Sequence, residues 1–334
     1  MKIMKPEFIS LIPSYLKTMG RHCLTPIFWL SLFFLGCLML VNLYFGLPIR
    51  SFDTIKGMQA LTLNLLFFIL FFYFYHAVFS LNKCTGVVVI IKKTFISTLK
   101  FFLRVLPFFI FLYIYDSIHD VTHLINSGEY DAGLIKLDQW LLFGRDIALV
   151  LERLINPGLT GWMAISYISY FLFYFIGPVF YFLYAKGRFF DLVLGAIILT
   201  NFLGLLGYIA VPCVGPLLAQ KNLFTQQLVM PSGEIYLSSG DLAAAYVNNR
   251  GSFHCFPSLH FGVTFVWLYY AWKLLRKHKW LKYFYYFHWL VFLPLWFSTL
   301  YLRWHYVSDL IGGLIVAMLG ITLANWLIKI KETS

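Results

Sequence analysis

Residues 162–211 read WMAISYISYFLFYFIGPVFYFLYAKGRFFDLVLGAIILTNFLGLLGYIAV. Two apolar runs, 162–185 and 189–211, are parted only by Lys186-Gly187-Arg188. About 20 residues carry a helix across a bilayer core, so each run is long enough to span. Backbone N–H and C=O groups find no partner in hydrocarbon unless the segment satisfies them itself, which selects helices. The stretch therefore predicts two successive membrane helices joined by a short basic turn.

Six further runs of the same kind lie at 26–47, 60–81, 101–118, 259–275, 281–302 and 307–328. The first begins some way into the chain, is long enough to span, and has no small-residue cleavage site after it, so it reads as a span rather than a signal peptide. Composition agrees with eight spans. Of 334 residues, 60% are hydrophobic and 12% are charged, against about 25% charged in soluble domains. That excludes a soluble globular protein, a disordered chain and a secreted disulfide scaffold. The net charge of +12 sits in short loops between apolar runs rather than on a polar domain, so no nucleic-acid partner is expected. No internal repeat or long polar linker appears. The fold expected is an all-α polytopic membrane helix bundle. The stretch 119–157 differs, being first acidic and then mixed, and is expected to form one or two helices lying in the interface.

Basic residues orient the bundle. With the N-terminus in the cytoplasm, 17 of the 26 Lys and Arg fall on inside segments or at the inner ends of spans and 8 outside, with Arg104 deeper inside a span. Of the 14 acids, 11 fall outside or at the outer ends of spans. Eight spans with both termini cytoplasmic satisfy the count.

Two outside edges collect the reactive residues. One ends the loop 212–258, as Asn248-Asn249-Arg250-Gly251-Ser252-Phe253-His254-Cys255-Phe256-Pro257-Ser258-Leu259-His260. The other precedes the last span, as Tyr301-Leu302-Arg303-Trp304-His305-Tyr306-Val307-Ser308-Asp309. Ionisable groups this close to apolar runs are costly and mark function. His305 and Asp309 are four apart, so on a helix they share a face. A carboxylate on one ring nitrogen leaves the other as nucleophile or base. The bland alternative is a polar pair snorkelling at an interface. His260, opening a span on the same side after Pro257-Ser258, adds a second imidazole able to protonate a leaving oxygen, and a helix N-terminus there offers N–H groups to an anion. Read alone, it is a capping-region residue.

At these residues the chain resembles the type 2 phosphatidic acid phosphatase superfamily. Pro257-Ser258-Leu259-His260 is similar to its second signature, usually Pro-Ser-Gly-His, and His305-x-x-x-Asp309 to its third, with Ser298 on the signature's Ser. The resemblance covers roughly residues 100–328. It implies a six-span catalytic core from residue 101 to 334, including the interfacial 119–157, preceded by a region 1–100 with two extra spans. It also implies roles: His305 attacks phosphorus, Asp309 orients it, His260 moves the proton, and Ser258 contacts phosphate. No metal or other cofactor is implied, and no zinc spacing or glycine-rich phosphate loop is present.

Two departures bear on substrate. The first signature, Lys-x6-Arg-Pro, is absent; Pro212-Cys213-Val214-Gly215-Pro216-Leu217 stands in its place. Thr299 replaces the Arg of the third. Arg303 and Arg250 are the substitute phosphate-binding cations, with Lys221 and His254 behind them, while the plain reading of Arg250 and Lys221 is solvated loop charge. A site with fewer cations suits a diester monoanion better than a monoester dianion. Pro-Ser-Leu-His, His-Tyr-x-x-Asp and the missing first signature resemble the inositol phosphorylceramide synthases and sphingomyelin synthases. The function implied is transfer of a phosphorylated head group from a membrane phospholipid to a lipid alcohol on the periplasmic, lumenal or extracellular face. With water as acceptor, the same groups make a lipid phosphate or polyprenyl-diphosphate phosphatase. A transporter or non-catalytic lipid binder is the rival from another class, and the clustering of polar residues at one edge rather than midplane argues against it. Cys213 and Cys255, at the two ends of the outer loop, are two buried thiols or, if that face is oxidising, a disulfide. Trp and Tyr near span ends read as interfacial belt residues.

Overall fold

The computed structural model describes residues 26–46, 55–78, 87–118, 121–185, 187–236 and 254–328, with the helix path alone over 55–65. The chain divides into two compact units, Met1–Ile110 and Phe111–Ser334. Among the described residues the architecture is all-α, and each of the eight apolar runs falls on a helix. Four of these helices are long and apolar enough to cross a membrane unaided, or five if a bent one counts as a single span. The protein is a membrane protein.

The first unit holds α1 (Pro26–Tyr44), α2 (Ile55–Val78) and the start of α3 (Val87–Ile118). Phe68 and Phe72 of α2 pack on Phe101 of α3, with ring centroids 4.9 and 5.7 Å apart. The third run was expected to begin at 101, with Lys92, Lys93 and Lys100 in a loop. Instead the helix starts at Val87 and carries all three. Its 32 residues exceed the roughly 20 that cross a bilayer core, so apolar and basic turns belong to one helix.

In the second unit the polar stretch after α3 forms α4 (Thr122–Ile125), α5 (Asp131–Leu141) and α6 (Ile147–Leu151). Then come α7 (Pro157–Tyr184) and α8 (Arg188–Ala210), the short α9 (Pro216–Ala219), and α10 (Leu259–Lys277), α11 (Lys282–Tyr301) and α12 (Val307–Ile328). Helix α7 bends by 46° between Pro157–Tyr174 and Ile176–Tyr184. Pro178 lacks the N–H that would bond the carbonyl of Tyr174, which frees the rod to bend there. Asn156 caps α7, its Oδ1 accepting from Leu159 N at 2.9 Å.

Helix α8 is the centre. Its residues are buried almost throughout, and α12, α10 and α7 pack around it, with α11 closing the bundle against α7 and α10. A helix apolar all round belongs in such an interior. The outer helices divide their faces instead. On α7, Ile165, Ile168, Phe171 and Leu172 are exposed and form the lipid-facing stripe. Tyr167, Tyr170 and Tyr174 occupy the opposite, inward stripe.

Close approach sets the site's position. Gly313 of α12 lies against the carbonyl of Ser258, and a Cβ on Gly262 of α10 would stand 2.8 Å from the Gly313 oxygen. No larger residue fits at this crossing. It brings the start of α10 beside the start of α12, the two termini that carry the signature-like residues.

Candidate active site

His305 does not sit on a helix. It lies in the turn two residues before α12, and Asp309 occupies that helix's first turn. The two meet all the same, Nδ1 to Oδ2 at 3.2 Å. The turn is built by capping. Asp309 Oδ2 also accepts from Tyr306 N at 2.8 Å, reaching back as the third helical residue of a capping box does. Asp138 of α5 accepts the next two orphan N–H groups, Val307 at 2.7 Å and Ser308 at 2.8 Å. Thr299 O receives both Trp304 N at 3.0 Å and His305 N at 3.1 Å. The imidazole is thus mounted on a backbone whose N–H groups are satisfied from three directions.

Asp131, seven residues before Asp138 and on the same face of α5, performs the matching service for the loop 212–217. Its carboxylate accepts Val214 N and Gly215 N, each at 3.0 Å, and Tyr306 Oη at 2.8 Å. Burial pushes both carboxyls above the usual carboxylate range, while the N–H bonds pull them back. The Tyr306 hydroxyl is raised by burial and by Asp131, and stays a donor. Gly215 takes a φ of +83° and abuts the Trp304 carbonyl; a Cβ there would also stand 3.2 Å from Cys255 Sγ. The loop 212–217, which stands in place of the family's basic first signature, is therefore a packed wall. Helix α5 was expected to lie in the interface. Leu137, Trp140 and Phe143 are exposed at its outer side, and its acidic face is an internal clamp.

His260 stands in the first turn of α10 with its Nδ1 3.4 Å from His305 Nε2. Ser258 is the N-cap, its Oγ accepting from Phe261 N at 3.4 Å, and its own N–H bonds Asp309 O at 2.9 Å. Its hydroxyl is thus placed as a helix cap within the site. Aromatic rings enclose His260. Tyr167 stacks on it at 4.4 Å, Tyr170 tilts over it at 4.3 Å, and Trp304 continues the stack on Tyr167 at 5.9 Å. Tyr170 and Tyr174 share a hydroxyl contact of 2.5 Å that runs on to Asn201 Oδ1 at 3.1 Å. The belt expectation is for Trp and Tyr near span ends; Tyr170 and Tyr174 lie deeper in the 162–185 run. The spacing of three and four from Tyr167 through Tyr170 to Tyr174 was the available signal that they share an inward face.

Cys255 completes the cluster. Its thiol donates to Asp309 Oδ2 at 2.6 Å and lies 3.6 Å from His305 Nδ1. Burial raises the thiol well above the ordinary thiol range, so the group is S–H. Cys213 and Cys255 are both free thiols rather than a disulfide. They are neighbours through the backbone, Cys255 N donating to Cys213 O at 3.3 Å.

Arg303 adopts a φ of +65° in the same turn. Its guanidinium covers Phe224 at 3.7 Å, bonds Gln226 O at 3.0 Å, and pairs with Glu152 at 3.4 Å. Burial lowers the guanidinium and Glu152 counters it. Arg303 Nε is buried with no partner among the described residues. Thr299 Oγ1 turns back to Trp296 O at 2.7 Å and Ser298 Oγ to Leu295 O at 2.7 Å. Lys221 is exposed at the outer end of this region, and His254 is held by Thr122 at 3.0 Å. Arg250 lies outside the described residues.

Fold and site together define an all-α membrane protein with two imidazoles and a carboxylate joined at one edge of its helix bundle. The family model of the PAP2 superfamily matches residues 132–323, which is more than half of the chain. The protein belongs to the PAP2 superfamily, a family of phosphatases and phosphotransferases that act on lipid phosphates. No curated protein and no solved structure gives a match to the chain.

Proposed function

We propose that the protein is a lipid phosphotransferase of the inositol phosphorylceramide synthase kind. The observation that carries this reading is the line Asp309 Oδ2–His305 Nδ1, His305 Nε2–His260 Nδ1, at 3.2 and 3.4 Å. With Nδ1–H bonded to the carboxylate, the lone pair of His305 is on Nε2, the nitrogen that faces the second imidazole. Nε2 attacks phosphorus, and the bond from phosphorus to the donor lipid's glycerol oxygen breaks. His260 gives that oxygen its proton. The acceptor hydroxyl then loses a proton to His260, attacks the phosphohistidine, and the N–P bond breaks, restoring His305. Protons and charges return to their starting places.

The charge supply supports a diester. The Arg303 guanidinium already shares a carboxylate, Thr299 brings no cation, and the donors left to the phosphate include Arg303 Nε, Arg250 and the first-turn N–H groups of α10 that Ser258 does not cap. A dianion desolvated at a membrane edge needs more than that. The catalytic core of this reading is residues 101–334, with both termini in the cytoplasm and the site on the opposite face.

A side-by-side assay tests it. Purified protein is given phosphatidylinositol with ceramide or diacylglycerol, and separately phosphatidic acid and a polyprenyl diphosphate. Head-group transfer from the first, insensitive to chelators, is expected. Rapid phosphate release from the other two without transfer would replace the transferase by a phosphatase. Orientation is read separately: Lys221→Cys should react with an impermeant thiol reagent in sealed right-side-out vesicles, and Lys279→Cys only after permeabilisation.

A further inference from the structure

Cys255 Sγ, His305 Nδ1 and Asp309 Oδ2 converge on one buried point. They offer one thiol, one imidazole and one carboxylate, the three side-chain types that ligate zinc. A tetrahedral zinc site with ordinary bond lengths has ligand–ligand edges of about 3.4–3.6 Å. Two of the three edges here stand at 3.6 and 3.2 Å. The third, Sγ to Oδ2, is 2.6 Å; seating an ion in place of the thiol proton requires this edge to open by about 1 Å. A second observation points the same way. Asp309 is fully buried, yet its Oδ1 has no hydrogen-bond partner among the described residues, so the carboxylate keeps accepting capacity that its Oδ2 contacts do not use.

We propose that Cys255, His305 and Asp309 form a binding site for a soft divalent cation, zinc or cadmium, whose occupancy shuts off catalysis. Binding deprotonates the thiol, and that proton leaves to solvent. A thiolate and a carboxylate then neutralise the dication in the interior. The ion takes the Nδ1 lone pair, so the imidazole proton moves from Nδ1 to Nε2. Nε2 then has no lone pair for phosphorus. The inhibitory consequence rests on the phosphohistidine reading above; the binding does not.

The test uses the full-length protein in detergent. Cadmium is titrated while the ultraviolet thiolate-to-metal band is followed, and zinc is titrated into the turnover assay. Wild type should bind one ion per chain with a thiolate band, and zinc should inhibit it reversibly by chelation. Cys255→Ser should lose the band and need at least about tenfold more zinc for half-inhibition of its own uninhibited rate. Cys213→Ser should keep the band. A band unchanged in Cys255→Ser, or lost in Cys213→Ser, overturns the site. X-ray absorption at the zinc edge on wild type needs no variant: one sulfur with nitrogen or oxygen ligands is expected, and two sulfurs or none overturn it. Binding without any lipid phosphotransfer would leave the site standing and remove the function; turnover indifferent to zinc, with no band, would do the reverse.

Discussion

His305 and His260 face each other across 3.4 Å, yet their surroundings are opposites. His305 is buried, and carboxylate, thiol and capped backbone fix its ring. His260 is half-buried among aromatic faces, and its Nε2 has no partner among the described residues. Hydrogen bonds fix a tautomer; ring stacking fixes a plane and leaves the proton free to come and go. The pair therefore divides the labour of a nucleophile, which must keep one nitrogen bare, and of an acid–base, which must change state twice per cycle.

The hardest blow to this contrast is His305→Ala. Turnover should fall by at least about 10³-fold while the protein remains folded in the membrane, as judged by detergent gel filtration. Retention of a hundredth of the wild-type rate would end the covalent role. His260→Gln should cost less, roughly 10²-fold, within the range of a lost acid–base. Its defect should ease with donor lipids whose leaving group is more acidic, whereas that of His305→Ala should not. Equal, leaving-group-independent losses would erase the distinction.

Asp138→Ala sharpens the comparison from the stability side. It strips two N–H acceptors from the turn that mounts His305, so unfolding stability should drop by about 1–3 kcal/mol, with turnover falling in step. A thermal shift is the measurement; an unchanged midpoint would mean that the cap is dispensable. The mildest change is Tyr170→Phe, which keeps the ring over His260 and removes only the hydroxyl contact with Tyr174. Turnover should change by less than about threefold. A large loss would show that His260 relies on the tyrosine hydroxyls rather than on ring stacking.

The residues that do chemistry were legible because they are a short pattern of unusual types at the ends of apolar runs. Their supports were not. Asp131 and Asp138 look like surface charges on an amphipathic helix, and only the fold turns that face onto α12 and the loop at 214. Arg303 was legible as a cation near His305, but Glu152, about 150 positions away along the chain, decides how much of its charge is free. Cys255 was legible as a buried thiol or half of a disulfide, but not as the neighbour of a carboxylate 54 residues further on.

The amino-acid sequence by itself determined that this is a helical membrane protein, because runs of spanning length with so few charges have no other low-energy form. It also determined the superfamily, since Pro257-Ser258-Leu259-His260 and His305-x-x-x-Asp309 are local patterns. The tertiary structure alone decided the rest: that His305 precedes its helix and still meets Asp309, that Tyr167 and Tyr170 enclose His260, and that a thiol joins the His–Asp pair. Periodicity tells which residues share a face. Which faces meet depends on the close crossing at Gly262 and Gly313 and on carboxylates that find orphan N–H groups across the fold, and those contacts exist only once the helices have packed.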